Sequence, residues 1–115
     1  GWDEEFGGLY CFCDLRGLPV QEYWHDMKFW WPHNEAIIAT LLAYQITGDT
    51  KYARWHQQVH DWSFAHFGDP EFGEWYERLY RDGSVKVADK GTKWKCAYHL
   101  TRSLVQVVTA FERIQ

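Results

Sequence analysis

Between His33 and Gln45, Ile37, Ile38, Leu41, Leu42 and Tyr44 recur at the spacing of one helical face, and Gly48-Asp49 follows as a C-cap and turn. Pro32 falls in the first turn, where a missing N–H costs nothing. A second helix is predicted from about Thr50 to Phe67, with Tyr52, Trp55, Val59, Trp62 and Phe64 or His66 as its buried stripe and Gly68-Asp69-Pro70 as its end. So short a connection makes the two helices antiparallel neighbours. A third helix, from about Ala97 to Ile114, offers Leu100, Leu104, Val107, Val108 and Phe111 as its apolar face.

The remaining segments read as strands and turns. Trp75 to Tyr80 and Val85 to Val87 flank Arg81-Asp82-Gly83-Ser84, an Asp-Gly hairpin signal. Gly1 to about Gly17 alternates around Gly7-Gly8 and fits a short hairpin or extended lead-in, not a helix. The order is hairpin, helix, helix, hairpin, helix. Two of the helices follow similar boxes, Lys28-Phe-Trp-Trp-Pro-His-Asn-Glu-Ala36 and Trp94-Lys-Cys-Ala-Tyr-His-Leu-Thr-Arg102, spaced about 65 residues apart, which points to a repeated helix pair with a β-insertion. So few repeats leave hydrophobic faces uncovered. With Gly1-Trp2 at the start and Met27 as the sole methionine, the expectation is a piece of a longer chain that assembles with a second copy as a homo-oligomer.

Composition sharpens this picture. Eight Trp, seven Tyr and seven Phe make 19% of the 115 residues, a skew suited either to an aromatic core or to sugar rings, whose C–H faces stack on indole while their hydroxyls find polar partners. A net charge of −4 gives no electrostatic footprint for nucleic acid or an anionic membrane. The longest apolar run, Ala36 to Ala43, is too short to span a bilayer, and no basic and apolar leader precedes it. Cys11, Cys13 and Cys96 are an odd set with neither disulfide nor zinc spacing, so three free thiols in a cytoplasmic, soluble protein are expected.

The candidate chemistry gathers at the two helix starts, where unpaired N–H groups and the helix dipole favour polar ligands. Glu35 either complements the dipole or orients a histidine or a sugar hydroxyl. His33, two positions away, points elsewhere and is either ligand-binding or core. Trp30 and Trp31 cannot both point inward, so one packs and the other stacks on a ligand, and Trp94 is a further stacking candidate. His99, in the first turn of the last helix, feels a positive dipole that disfavours imidazolium and suits it to accept a proton. Arg102, one turn on, donates to a sugar, to Glu35 or to a plain surface partner. His56 and His60, at i and i+4, lack a third ligand and read as outward helix residues, so no metal is expected. Glu71, Glu74 and Glu77 raise a glycosidase reading, which lacks a second carboxylate in an apolar helix-start pocket.

Taken together, Glu5-Phe-Gly-Gly-Leu9, the Lys28–Ala36 box, Thr47-Gly-Asp49, Asp69-Pro-Glu-Phe-Gly-Glu-Trp75, Arg81-Asp-Gly83 and Trp94-Lys-Cys-Ala-Tyr-His99 resemble, in order and spacing, the C-terminal part of the N-acylglucosamine 2-epimerase family, which also holds cellobiose 2-epimerases and sugar aldose–ketose isomerases. The resemblance implies an all-α fold for residues 1–115, a partial (α/α)6 barrel of antiparallel helix pairs with short β-hairpin insertions, forming roughly the last third of a longer domain. It implies an enzyme without a cofactor that takes a proton from C2 of an open-chain sugar and returns it from the other face. Two histidines share that work. One is His99, and its partner lies on an earlier helix outside this chain. Glu35 joins His99 in the catalytic group, with Trp31, His33, Trp94 and Arg102 around the substrate. Cys96-Ala-Tyr-His99 is in the cellobiose-epimerase style and Trp-Trp-Pro-His33 in the N-acyl style, so the box sequences divide on substrate. A carbohydrate-binding piece without catalysis and a purely structural helical segment are the rival readings.

Overall fold

A computed structural model describes residues 1–114. Its elements run β1 (Lys28–Phe29), α1 (Trp30–Thr47), α2 (Thr50–Phe67), β2 (Arg78–Leu79), β3 (Val85–Val87) and α3 (Tyr98–Ile114), so the described chain is mostly helical. The helix α1 begins three residues before the apolar periodicity does. Phe29 stays extended at its N-cap, and the Trp30 N–H is taken by the Glu77 carbonyl at 3.3 Å. Its C-terminus is closed by Gly48 at φ 68°, whose N–H returns to the Tyr44 carbonyl. Asp49 then caps α2 through Lys51 N–H.

Contacts fix the helix directions. His33 stacks on Trp62 while the His56 ring lies 3.0 Å from the Ile37 carbonyl, so rising numbers on α1 meet falling numbers on α2 and the pair is antiparallel. Across α1 and α3 the numbers rise together: Glu35 with His99, Asn34 with Ser103, Gln45 with Ala110. These helices are parallel, and their N-termini lie at the same end.

The sheet has the order β1-β2-β3, antiparallel throughout, with the predicted Asp-Gly turn between β2 and β3. Tying β1 to that hairpin was not foreseen, since two residues carry no periodicity. In the lead-in, Trp2 pairs with Leu9, and the Gly7-Gly8 turn lies against the Trp62 ring. A Cβ on Gly8 would stand 2.7 Å from that ring, and its φ of +74° already favours glycine.

The buried stripes differ from those predicted. On α2 they are His56, Val59, Ser63 and Phe67, while Trp55 and Phe64 stay exposed. On α3, Leu100, Ser103 and Ala110 are buried, whereas Leu104, Val108 and Phe111 are exposed. Leu42 of α1 is likewise exposed. The reason is that polar side chains can bury by bonding the carbonyl one turn back: Ser63 to Val59, His33 to Phe29, and Asn34 through its Nδ2 to Trp30, although the Asn34 Oδ1 is left without a partner. His56, expected to face outward, is buried on the same terms through Ile37. One core results, gathering Met27, Phe29, Trp30, Ile37, Val59, Phe67, Trp75, Leu79 and Leu100.

Beside it lies a buried ion pair, Asp3 with Lys28, joined by the partly exposed Arg81. Asp3, with no side-chain exposure, accepts from Lys28 Nζ at 2.9 Å and from Arg81 Nε at 2.8 Å and Nη2 at 3.1 Å. Burial alone would raise the Asp3 pKa, but the bonds from Arg81 and Lys28 outweigh it and hold the carboxyl well below the usual range. This cluster pins the lead-in to β1 and to the β2–β3 turn.

Candidate functional site

Because α1 and α3 start side by side, their first turns form one wall. Glu35 of α1 spans to α3, with Oε1 2.8 Å from His99 Nδ1 and Oε2 on the Arg102 guanidinium. A carboxylate only accepts hydrogen bonds, so the neutral His99 ring carries its proton on Nδ1 and presents a lone pair at Nε2. Burial pushes the Glu35 pKa up, yet the Arg102 and His99 bonds prevail and set it below its ordinary value. The ionised carboxylate is therefore the resting form at neutral pH.

Aromatic rings frame the imidazole. Trp30 meets it edge to face with centroids 6.1 Å apart, Trp31 lies tilted at 6.1 Å, and Tyr98 stands edge-on at 5.0 Å. Of the two indoles Trp30 is buried and Trp31 is 39% exposed, which divides them into a packing and an accessible ring. Tyr98, which sequence reasoning missed, also lies 5.3 Å from the Arg102 guanidinium carbon. Its signal was there, an aromatic directly before the histidine. An open groove of about 490 Å³ along α3 is walled in part by Tyr98, Thr101 and Arg102.

Four sequence candidates thus meet: Glu35, His99, Arg102 and Trp31. His33 and Trp94 do not join them. The His33 ring has no exposure, accepts the Leu9 N–H at Nε2 (2.9 Å) and sits 2.7 Å from the Phe29 carbonyl at Nδ1, so both nitrogens are engaged inside the core. This corrects its placement as a substrate ligand. It is a pin between the lead-in and α1. Trp94 is 74% exposed, with Lys93 Nζ 5.2 Å from its ring centroid, apart from the His99 cluster. Two of the three glutamates behind the glycosidase reading are occupied elsewhere, Glu74 with Lys95 and Glu77 with Thr92 and Arg78, while Glu71 is exposed. Among the described residues no group of three His, Cys, Asp or Glu side chains is placed to hold a metal. The three thiols are unpaired, and no described helix is long and apolar enough to cross a membrane.

Burial holds the His33 pKa down at about 4, because the charged ring would be desolvated. The unfolded chain therefore binds a proton that the native state refuses between about pH 6.5 and 4, and stability falls as pH drops through that window. The shift corresponds to about 3 kcal/mol. Urea midpoints measured from pH 7 to 4.5 should decline, and His33→Gln, destabilised at pH 7, should flatten the decline. An equally steep decline in that variant would assign the effect to another group.

Helices α1 and α3 thus bring an imidazole–carboxylate pair to an indole-walled face of a mostly helical fold, and comparison with known sequences supplies the family. The family model described as N-acylglucosamine 2-epimerase (GlcNAc 2-epimerase) matches residues 1–103, and the chain belongs to that family. The N-acylglucosamine 2-epimerase of Bos taurus is 49% identical over 90% of this chain, and a cellobiose 2-epimerase of Ruminococcus albus is 31% identical over 71%. A crystal structure of a D-mannose isomerase superposes with a TM-score of 0.84 at 26% identity, covering 94% of this chain and 27% of that one. The chain spans about a quarter of the length of the curated relatives it matches, less than the third expected from the resemblance.

Proposed function

We propose that residues 1–115 form the C-terminal part of a cytoplasmic sugar 2-epimerase of (α/α)6-barrel form, which moves a proton at C2 of an open-chain sugar, with N-acylated glucosamine as the favoured substrate. The observation that carries the reading is the Glu35–His99 bond, which fixes the tautomer and aims a lone pair at Nε2. A proton α to a carbonyl is weakly acidic, and its removal needs a base working near neutral pH. His99 is that base. Arg102 serves mainly by holding Glu35, and Trp31 supplies the accessible face on which a sugar ring stacks. Higher identity to N-acylglucosamine epimerases than to cellobiose epimerases supports the substrate choice. Unpaired thiols, two of them exposed, support a reducing compartment, and exposed Val105 and Val108 on α3 support assembly with further helices or a second copy.

Inverting a carbon through a planar intermediate takes one base on each face. Of the other five imidazoles, His33 and His56 are buried in the core, His60 and His66 belong to α2, and His25 lies in the lead-in before β1; none is paired with the Glu35–His99 group, so we place the second base outside residues 1–115. The purified 115-residue chain should therefore turn over no sugar, while the full-length protein converts N-acylglucosamine, cellobiose or mannose. Epimerisation by the chain alone would refute the two-part site. Inactivity of the full-length protein on all three would refute this substrate range.

A further inference from the structure

The segment between β3 and α3 delivers His99, and its anchor is a buried lysine. Lys95 is 1% exposed, and its Nζ donates to the Glu74 carboxylate and, at 3.1 Å, to the Lys90 carbonyl. The same ammonium lies 5.9 Å from the centroid of the Trp30 ring, the ring that His99 meets edge to face at 6.1 Å. Around it the loop closes on itself. The Thr92 N–H donates to the Lys95 carbonyl (2.9 Å), the Lys95 N–H to Thr92 Oγ1 (3.0 Å), and the Thr92 hydroxyl to Glu77 (2.6 Å), whose own carbonyl receives the first N–H of α1. Glu74 is held at φ 63°, the one non-glycine at positive φ among the described residues. Its backbone is thus strained at the residue whose carboxylate meets Lys95.

Burying an ammonium is costly unless it is paired, and an apolar side chain of the same length would fill this space more cheaply. The charge is retained where it fixes the loop and the Trp30 indole together. We infer that Lys95 is a positioning residue for His99, bracing the loop and Trp30 so that the imidazole keeps its Nδ1 proton on Glu35. The inference rests on the catalytic reading of His99, but its test does not.

The test uses the full-length protein labelled with 15N in its histidines, the His99 signals being assigned by their loss in His99→Asn. Wild type should show a single tautomer with protonated Nδ1. In Lys95→Met the two His99 ring nitrogens should shift towards the averaged values of mixed tautomers while the His33 signals stay unchanged. Lys95→Arg, still able to reach Glu74, should restore the wild-type pattern. Glu74→Gln, at a partly exposed residue, should shift His99 in the same direction as Lys95→Met and decides the matter if that variant fails to fold. His99 signals unchanged in folded Lys95→Met, or in Glu74→Gln, would overturn the inference. In the full-length protein Lys95→Met should lower kcat by roughly 10- to 100-fold with KM unchanged, as small misplacements of a catalytic group do. Should His99→Asn keep its kcat, the catalytic reading falls while the tautomer result still decides the role of Lys95.

Discussion

Replacing His99 by asparagine in the full-length protein will lower kcat by about 10²–10⁴-fold, the usual worth of a general acid–base group, and leave KM and Tm nearly unchanged. The loss is that large because asparagine fills the space and keeps a donor for Glu35, yet has no lone pair of suitable basicity where Nε2 stands. Glu35 acts through that ring. Adding Glu35→Ala to His99→Asn should therefore cost little beyond the single variant, although Glu35→Ala alone is damaging. Steady-state kinetics on the four proteins of this cycle provide the check. A His99→Asn protein with wild-type kcat, or one losing activity only in proportion to its unfolded fraction, would make the imidazole structural.

Asp3→Ala will cost about 3–5 kcal/mol of stability, a large share of the 5–15 kcal/mol typical of a domain. The carboxylate accepts two bonds from Arg81 and one from Lys28, and its removal strands an ammonium that has no exposure. Stranding matters more than the lost attraction. Adding Lys28→Met removes the orphaned charge, so the double variant should recover much of the loss, read as denaturant midpoints. Equal instability of single and double variants would show that Asp3 stabilises through the lead-in turn, where it caps Glu5 N–H at 3.1 Å, and not through the charge pair.

Local patterning carried the helices far. The span of α2, Thr50–Phe67, follows from its turn residues at both ends, and α3 starts one residue from its expected place. Which face of each helix is buried was less legible. Large aromatics such as Trp55 and Phe64 drew the predicted stripe, whereas the chain buries His56 and Ser63, whose polar atoms are satisfied by backbone carbonyls that no hydropathy pattern displays. His33 follows the same rule, and its core position was one of two readings open from sequence.

Within the site, the one-turn step from His99 to Arg102 was visible, as was Glu35 in a matching box. Their meeting was only one of several readings left open. It needs α1 and α3 to lie parallel with a common starting end, a relation the repeated boxes suggested and packing alone sets. Lys95 escaped attention for a related reason: a lysine next to Trp94 in a loop reads as solvated until its partner, Glu74, is seen held towards it by a left-handed backbone.

The central claim is proton transfer at C2 by a pair of bases that includes His99. Its most direct measurement is proton NMR of N-acylglucosamine incubated with the full-length protein in D2O. Both epimers should lose their C2 proton signal as deuterium enters, and His99→Asn should lose the epimerisation. Epimers that interconvert while keeping protium at C2 would contradict the account, because no base drawing on solvent could then have carried the proton.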